Sequence, residues 1–274
     1  MDIIKSIQQR KSCRTFTSES LKPSDRKKLE EYINSNKTGI KNEVIDFTLV
    51  EKKETDKPMK LTYGLIKGNK TYILGKTAST ASARVNYGYL LEKIVLKATD
   101  LKLASCWIGM FDKEYFNDIQ IENEQIIPGI LTVGYSTGKK STIESLARKA
   151  VKADKRKPWD QLFFNYETNA ILESEIIKPY IESLEMTRLA PSSGNTQPWR
   201  IFYESAANEF HFFKKITNQN YESKGMHDID MGIAMCHFEL VSDKNDLKGN
   251  WIKNDASSIK SINDLQYINT WKCL

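Results

Sequence analysis

The sequence predicts a mixed helix-and-strand fold built from two similar halves. Each half offers a helix, a Gly-containing turn, a strand and then a long apolar helix, in the same order. Gly88 is as far from Trp107 as Gly232 is from Trp251, and Asp-Leu-Lys precedes the Trp in both halves. We therefore favour a duplicated and fused unit over a chance agreement.

Hydrophobic spacing and turn residues place the elements of the first half. A short helix at 2–9 carries Ile side chains on one face, and a second helix at about 25–35 takes Ser24 as its N-cap. The pattern then predicts a strand at 44–50, a charged loop at 52–60, extended structure within 63–74, a central helix at about 81–101, a compact loop at 104–111, a helix near 112–119 and a strand at 130–135.

A basic segment separates this half from the next one. Residues 136–158 are rich in Lys, Arg, Ser and Thr, so we expect an extended or poorly ordered connector. Beyond it the pattern predicts a helix near 173–187, strands at 199–203 and 210–213, and a second central helix around 230–240. The chain should therefore divide into halves 1–160 and 161–274.

Composition limits the class of protein. With 274 residues, 40% of them hydrophobic, the chain can bury a core of one large or two medium domains. A net charge of +6 is only mildly basic, so no nucleic-acid partner is implied, although a basic cleft could attract an anionic cofactor. No export signal and no long apolar run occurs, and the four cysteines lack Cys-x-x-Cys spacing. We expect a cytoplasmic protein with reduced thiols and no membrane partner.

The stretch from Arg188 to Arg200 is the strongest candidate for a ligand site. It places small polar residues between Pro191 and Pro198, which fix φ and lack an N–H. Residues of this kind favour turns and supply short hydrogen-bonding groups; they are Ser192, Ser193, Gly194, Asn195 and Gln197. An ordinary helix-to-strand turn is the alternative.

Two basic clusters are candidates for holding a phosphate. The first combines Arg10, Lys11, Ser12 and Arg14, and arginine donates hydrogen bonds in a rigid fork that suits phosphate oxygens. The second is Arg156 with Lys157, where Arg156 is the main candidate. The alternative for both clusters is a charged turn in water.

Three motifs resemble those of the nitroreductase family. The stretch 188–200 resembles its Ala-Pro-Ser-x-x-Asn-x-Gln-Pro-Trp signature, and 10–16 resembles its Arg-Arg-Ser-x-Arg-x-Phe element, with Lys11 where Arg is usual. Residues 105–111 resemble Thr-Cys-Trp-Ile-Gly-Gly-Phe, although Lys102 and Ala104 depart from the usual Gly-Leu-Gly. The later Gly134-Tyr135 and Arg-Lys-Pro also resemble family elements. The motifs lie in the family's order over most of the chain.

The resemblance implies an α+β fold with a central, mostly antiparallel sheet flanked by helices, repeated as a pseudo-dimer that binds flavin mononucleotide (FMN). The backbone of Ile108, Gly109 and Met110 would lie near flavin N5, because a residue without Cβ allows a close approach. The implied FMN-binding residues are Arg10, Lys11, Ser12, Arg14, Ile108, Gly109, Arg156, Lys157, Pro191, Ser192, Ser193, Asn195 and Gln197. NADH or NADPH would reduce the flavin, and a nitroaromatic or quinone acceptor would reoxidise it by ping-pong kinetics without a catalytic side chain.

Two alternative functions stay open, and four other kinds of site are not supported by the sequence. An FMN storage or sensor protein without turnover stays open, as does a flavin-dependent reductive dehalogenase-like enzyme, because loops 52–60 and 214–229 choose the substrate. The stretch 134–141 is not a Walker loop, since only three residues separate its glycines. No Gly-x-Gly-x-x-Gly supports a separate nicotinamide site. The histidines share no metal-ligand spacing, and no histidine motif accompanies the cysteines as a base, so neither a metal nor a thiol nucleophile is expected.

The distribution of the motifs predicts the stoichiometry. The Arg-rich element and the Trp-Ile-Gly loop occur only in the first half, whereas Pro191 to Asn195 occurs only in the second. The corresponding places, 34–39 and 248–251, lack these residues. One site can therefore be complete within one chain. We expect a monomer that imitates a dimer, with one FMN and a degenerate mirror-related site.

Overall fold

The structure of the chain is a computed structural model. It describes residues 1–52, 66–116, 119, 124–139, 141–255 and 257–274. Most of the predicted 52–60 loop, the start of the 63–74 stretch, the end of the 112–119 helix and Lys140 lie outside the described residues.

Seven α-helices and eleven strands lie within that part of the chain. The helices are α1 (Ile3–Gln9), α2 (Pro23–Ser35), α3 (Ala81–Asp100), α4 (Thr142–Ala150), α5 (Ile181–Arg188), α6 (Gln219–Ser223) and α7 (Met226–Lys244). The strands are β1 (Phe47–Glu51), β2 (Thr71–Gly75), β3 (Thr77–Ala78), β4 (Ala104–Ile108), β5 (Gln125–Ile126), β6 (Ile130–Gly134), β7 (Phe163–Asn165), β8 (Trp199–Glu204), β9 (Glu209–Lys215), β10 (Gly249–Ile252) and β11 (Leu265–Cys273). Short 3-10 helices cover Ile40–Asn42, Lys113–Phe116, Trp159–Gln161, Ser174–Tyr180 and Ser193–Asn195.

Two sheets repeat one topology. The first has the strand order β1-β2-β6-β4, and the second has β8-β9-β11-β10 with β7 added beside β8. All pairings in these sheets are antiparallel except that of β7 with β8. In each half the long helix follows the second strand of the repeat. The fold is therefore α+β and internally duplicated, as predicted.

The long helices α3 and α7 pack against each other at two glycines. A Cβ on Gly88 would overlap the carbonyl oxygen of Ile229, and a Cβ on Gly232 would overlap that of Val85. Val85 and Ile229 each stand three residues before the glycine of their own helix. The contact is thus self-complementary, as at the two-fold axis of a homodimer. Glycine is required because only a residue without Cβ lets the backbones approach so closely.

The halves share one core, and the chain crosses between them. Leu90 and Leu91 of α3 belong to the same hydrophobic cluster as Met235 and Phe238 of α7. After β6 the chain leaves the first sheet, and β7 joins the edge of the second sheet by parallel pairing with β8. The division into 1–160 and 161–274 remains a prediction.

Four expectations about elements were wrong. The predicted compact loop 104–111 contains β4, because residues 104–108 pair with β6. The connector 136–158 contains α4, in which the Ser141 hydroxyl caps the N–H of Glu144. Helix α2 starts at Pro23 with Lys22 at its N-cap, not at Ser24, because proline suits the first helical turn. The helix expected at 173–187 is a 3-10 segment through Pro179 followed by α5.

Candidate ligand-binding cleft

Two adjoining cavities form one cleft between the halves. They measure about 330 Å³ and about 200 Å³. Both are lined by Ser12, Arg14, Pro191, Ser192, Gly194 and Tyr221. We call the larger part the basic end, after Arg10, Lys11, Arg148 and Arg156, and the smaller part the apolar end, after Ile108, Met226, Ile229 and Ile233. The arrangement suits a ligand with an anionic group and a flat apolar body.

The segment after α1 supplies the first cations of the basic end. It is held against β4, because the Cys13 N–H donates to the Ser105 carbonyl at 2.8 Å and Phe16 is buried. Arg10 Nε and Arg14 Nη1 are buried without a hydrogen-bond partner. Burial lowers the pKa of Arg10. Unpaired buried guanidinium N–H groups are costly, so they indicate a missing anionic partner.

Helix α4 adds Arg148, which the sequence reasoning missed. Its Nη1 donates to the Ser12 carbonyl at 3.5 Å, and its Nη2 pairs with Asp154. Buried Glu144 docks the helix by accepting from Thr15 Oγ1 at 2.9 Å. A signal was available, because Ser141 followed three residues later by Glu144 is typical of a helix N-terminus.

The predicted pair Arg156 and Lys157 separates. Arg156 lines the basic end, where its Nη2 donates to the Leu189 carbonyl at 3.1 Å and its Nη1 to Asn195 Oδ1 at 3.3 Å, but Nε has no partner. Burial, followed by the nearby Arg10, lowers the pKa of Arg156 to about 10. Lys157 lines neither part of the cleft, and its side chain borders an open depression beside it. Its contribution is a backbone N–H that donates to Gln197 Oε1 at 2.7 Å.

The Pro191–Gln197 turn shapes the cleft partly by internal bonds. Asn195 and Gln197 have φ of 58° and 49°, in the left-handed region that asparagine tolerates. The Asn195 amide donates to the carbonyls of Lys152 at 2.8 Å and Lys155 at 3.0 Å. Gln197 lines neither part of the cleft, whereas Pro191 and Ser192 line both. The two amide side chains therefore position the turn against the segment that carries Arg156.

The apolar end is built by the end of β4 and by α7. Ile108, Gly109 and Met110 of the Trp-Ile-Gly motif line it together. A Cβ on Gly109 would lie 3.0 Å from Cε of Met226, so a larger residue at this position would crowd the Met226 side chain. Trp107 is fixed by donation from Nε1 to Glu92 Oε2 at 2.7 Å. The backbone after β4 thereby forms one wall of the cavity.

Asp230 on α7 is a second residue that the sequence reasoning missed. It is 1% exposed and lines the apolar end. Its Oδ1 accepts from the N–H of Ser193 at 2.9 Å and from its hydroxyl at 3.3 Å, whereas Oδ2 has no partner. Burial, with a smaller effect of Asp228, raises the pKa of Asp230 to about 8. An acidic residue inside the apolar run 226–238 was the signal in the sequence.

A mirror-related cleft of about 310 Å³ lies at the other side of the helix pair. It is lined by Val85 and Asn86 of α3, in the places that Ile229 and Asp230 of α7 take in the first cleft. Its buried cation Lys214 is paired with Glu222 at 2.7 Å and Asp228 at 2.6 Å. None of the described side chains that line it has a buried polar atom without a partner.

The three histidines take part in hydrogen bonds. His237 contacts Glu92 Oε1 and the Met186 carbonyl, each at 3.0 Å. His227 contacts Thr217 and Glu222, and His211 contacts Thr270 at 2.8 Å and Glu204 at 3.0 Å. Within the described residues, His211, Glu204 and Glu209 bring potential ligand atoms within 4.8 Å of one another. These bonds occupy both ring nitrogens of each histidine. All four cysteines are free thiols.

Comparison with known proteins decides the family. A family model described as "Putative TM nitroreductase" matches residues 2–242. The chain belongs to this nitroreductase family. The predicted resemblance is therefore confirmed. No curated protein sequence matches the chain, and no helix in its described residues is long and apolar enough to cross a membrane.

A solved structure agrees with this fold over the whole chain, and two further structures are similar to about half of it. A crystal structure described as a "putative nitroreductase" from Thermotoga maritima is 22% identical, with a TM-score of 0.62, and the match covers 100% of this chain and 93% of that one. An FMN-bound nitroreductase from Bacteroides fragilis is 18% identical, with a TM-score of 0.41 and coverage of 52% and 92%. An FMN-bound nitroreductase from Desulfitobacterium hafniense is 19% identical, with a TM-score of 0.41 and coverage of 51% and 92%.

Proposed function

We propose that this member of the nitroreductase family is an FMN-dependent oxidoreductase. The observation that carries the proposal is the pairing, in one cleft, of buried guanidinium N–H groups that lack a partner with an apolar slot beside the Gly109 backbone. FMN has the matching chemistry, because it joins a phosphate to a flat ring. Membership of the family and the FMN named for two of the solved relatives support the same choice.

The residues of the cleft would divide the work of binding. Arg10, Lys11 and Arg14 would hold the phosphate, because they supply unpaired or exposed positive charge at the basic end, and Arg148, which is paired with Asp154, would stand beside them. Ser12, Pro191 and Ser192, which line both ends, would lie along the linker between phosphate and ring. Asn195, Gln197 and Lys157 would act indirectly, by holding the turn in place. This proposal keeps the cluster from Arg10 to Arg14 as part of the binding site and gives Asn195, Gln197 and Lys157 a supporting role.

At the apolar end the chain would orient the ring and limit access of water. The backbone at Ile108–Met110 and the side chains of Ile229 and Ile233 form this slot. When bound, FMN would supply two-electron transfer between NADH or NADPH and a small acceptor such as a nitroaromatic or a quinone. Tyr221 of α6 lies at the mouth that both ends share, so the 214–229 segment would choose the acceptor.

The proposed stoichiometry is one FMN per chain, in a cytoplasmic monomer that imitates a dimer. Two contrasts between the related clefts support it. The Arg10–Arg14 segment and the Pro191–Asn195 turn of one chain meet in the first cleft. In the mirror-related cleft, Lys214 is neutralised by two carboxylates. Among the described residues that line the two clefts, an anion would therefore find buried side-chain donors without a partner only on the first side.

Flavin content and reducibility test this function. Purified protein should be yellow and should release FMN rather than FAD on denaturation, as measured by chromatography. Anaerobic NADH or NADPH should bleach the flavin band. Protein that neither contains nor takes up FMN would overturn the proposal. Protein that binds FMN but is bleached by neither nucleotide would indicate storage or sensing instead, and a halogenated aromatic tried as acceptor separates the dehalogenase-like alternative.

A further inference from the structure

One acidic side chain lines the apolar end of the cleft. Asp230 is 1% exposed, and it is the one carboxyl group among the described residues of that cavity wall. Ser193 satisfies only its Oδ1, through a backbone N–H at 2.9 Å and a hydroxyl at 3.3 Å. Oδ2 is buried without a partner. A polar atom in this position is expected to meet a group of the ligand.

The surroundings of Asp230 favour its neutral form. Arg14 and Tyr221 line the same cavity from neighbouring elements, but neither bonds to it. Asp228, on α7 itself, is ion-paired with Arg84 of α3 and repels a second negative charge nearby. Burial disfavours the ionised form further, and together the effects raise the pKa of Asp230 to about 8. A proton on Oδ2 would change an unpaired acceptor into a hydrogen-bond donor.

The internal repeat provides a neutral equivalent of the same side chain. Asn86 stands two residues before Gly88 of α3, as Asp230 stands two residues before Gly232 of α7. Asn86 Oδ1 accepts from the N–H of Ile40 at 2.8 Å, the counterpart of the bond from Ser193. The fold therefore accepts a neutral amide at this position, with a donor group where Asp230 has Oδ2.

We propose that Asp230 is a cofactor-binding residue that acts as a neutral carboxylic acid, with Oδ2–H donating a hydrogen bond to an acceptor atom of the flavin ring. The inference rests on the proposed function. It gives a role to a buried acid in the cavity wall whose second oxygen has no partner in the chain. It also makes FMN affinity depend on pH, since ionised Asp230 would turn two lone pairs toward the electron-rich edge of the ring.

The test is the dissociation constant of FMN between pH 7 and pH 9, measured by fluorescence quenching at constant ionic strength. The FMN phosphate is mainly a dianion over this range, so it contributes little. For wild-type protein the constant should rise about tenfold, since the group titrates near 8. Asp230→Asn should bind within about threefold of wild type at pH 7 and should lose the dependence, because the amide keeps a donor. Tyr221→Phe is the matched control and should keep the wild-type slope.

Three results would overturn the inference while leaving FMN binding intact: an Asp230→Asn slope equal to that of wild type, loss of the slope in Tyr221→Phe, or folded Asp230→Asn protein that no longer binds FMN at pH 7. The last result would show that the carboxylate is needed. Wild-type protein that binds no FMN at any pH would overturn the proposed function and this inference with it.

Discussion

Replacing Arg14 by Ala tests whether the basic end is built for a ligand. Arg14 Nη1 is buried without a partner, so in the unliganded protein this N–H carries a desolvation cost and no compensating bond. If the FMN phosphate is its partner, the change removes a charge-assisted hydrogen bond worth roughly 1.5 to 3 kcal/mol. The dissociation constant of FMN should then rise by a factor of about 10 to 150.

Stability should move differently from affinity. Because Arg14 has no partner in the unliganded protein, Arg14→Ala should leave the Tm of that form unchanged or raise it. For a chain of this size, each kcal/mol of added stability raises the Tm by about 2 °C. Both values can be obtained from one preparation, by flavin fluorescence titration and by thermal unfolding without FMN. Arg26→Ala is the matched control, since Arg26 is ion-paired with Glu30 at 2.9 Å on α2, outside the residues that line the cleft. Unchanged FMN affinity in folded Arg14→Ala protein would show that Arg14 does not bind the cofactor.

Two further predictions concern the helix pair and pH. Gly232→Ala and Gly88→Ala should each lower the free energy of unfolding by about 1 to 3 kcal/mol or more, because the new Cβ would overlap a carbonyl oxygen of the facing helix. Chemical denaturation measures this free energy. A change below about 0.5 kcal/mol would contradict the close packing of the two helices. For Asp230 the folded pKa of about 8 exceeds the unfolded value of 3.8, so the unfolded state loses its proton first as pH rises, and the wild type loses stability from about pH 4 up to pH 8. Asp230→Asn removes this loss. Its unfolding free energy should therefore exceed that of the wild type by nearly zero at pH 4 and by at most about 6 kcal/mol at pH 8. A difference that does not change with pH would contradict the burial of an acid.

The sequence was sufficient for the features that depend on local patterns. Apolar spacing located the two central helices, and the equal separation of Gly and Trp in both halves indicated the repeat that the sheet topology shows. The motif at 188–200 identified the turn, because prolines and left-handed asparagine leave few other conformations. One short motif singled out Ile108 and Gly109, which line the apolar end of the cleft, and their position beside a flavin stays a prediction.

The elements and side-chain positions that the sequence did not predict depend on tertiary contacts. Composition made 136–158 look like a solvated connector, but Glu144 docks α4 through Thr15 and brings Arg148 into the cleft. The C-terminal strands β10 and β11 were not predicted, since their alternation is weak; β11 is ordered by pairing with β9, and β10 by pairing with β11. Lys157 does not line the cleft, and its backbone N–H bonds to Gln197.

One chain should contain one complete FMN site, and its mass and flavin content in solution test this directly. Light scattering gives the mass in solution, and flavin absorbance after denaturation gives the FMN content of the same sample. We expect the mass of a single 274-residue chain carrying one FMN. Two flavins per chain, or an obligate homodimer that loses its flavin on dissociation, would contradict it.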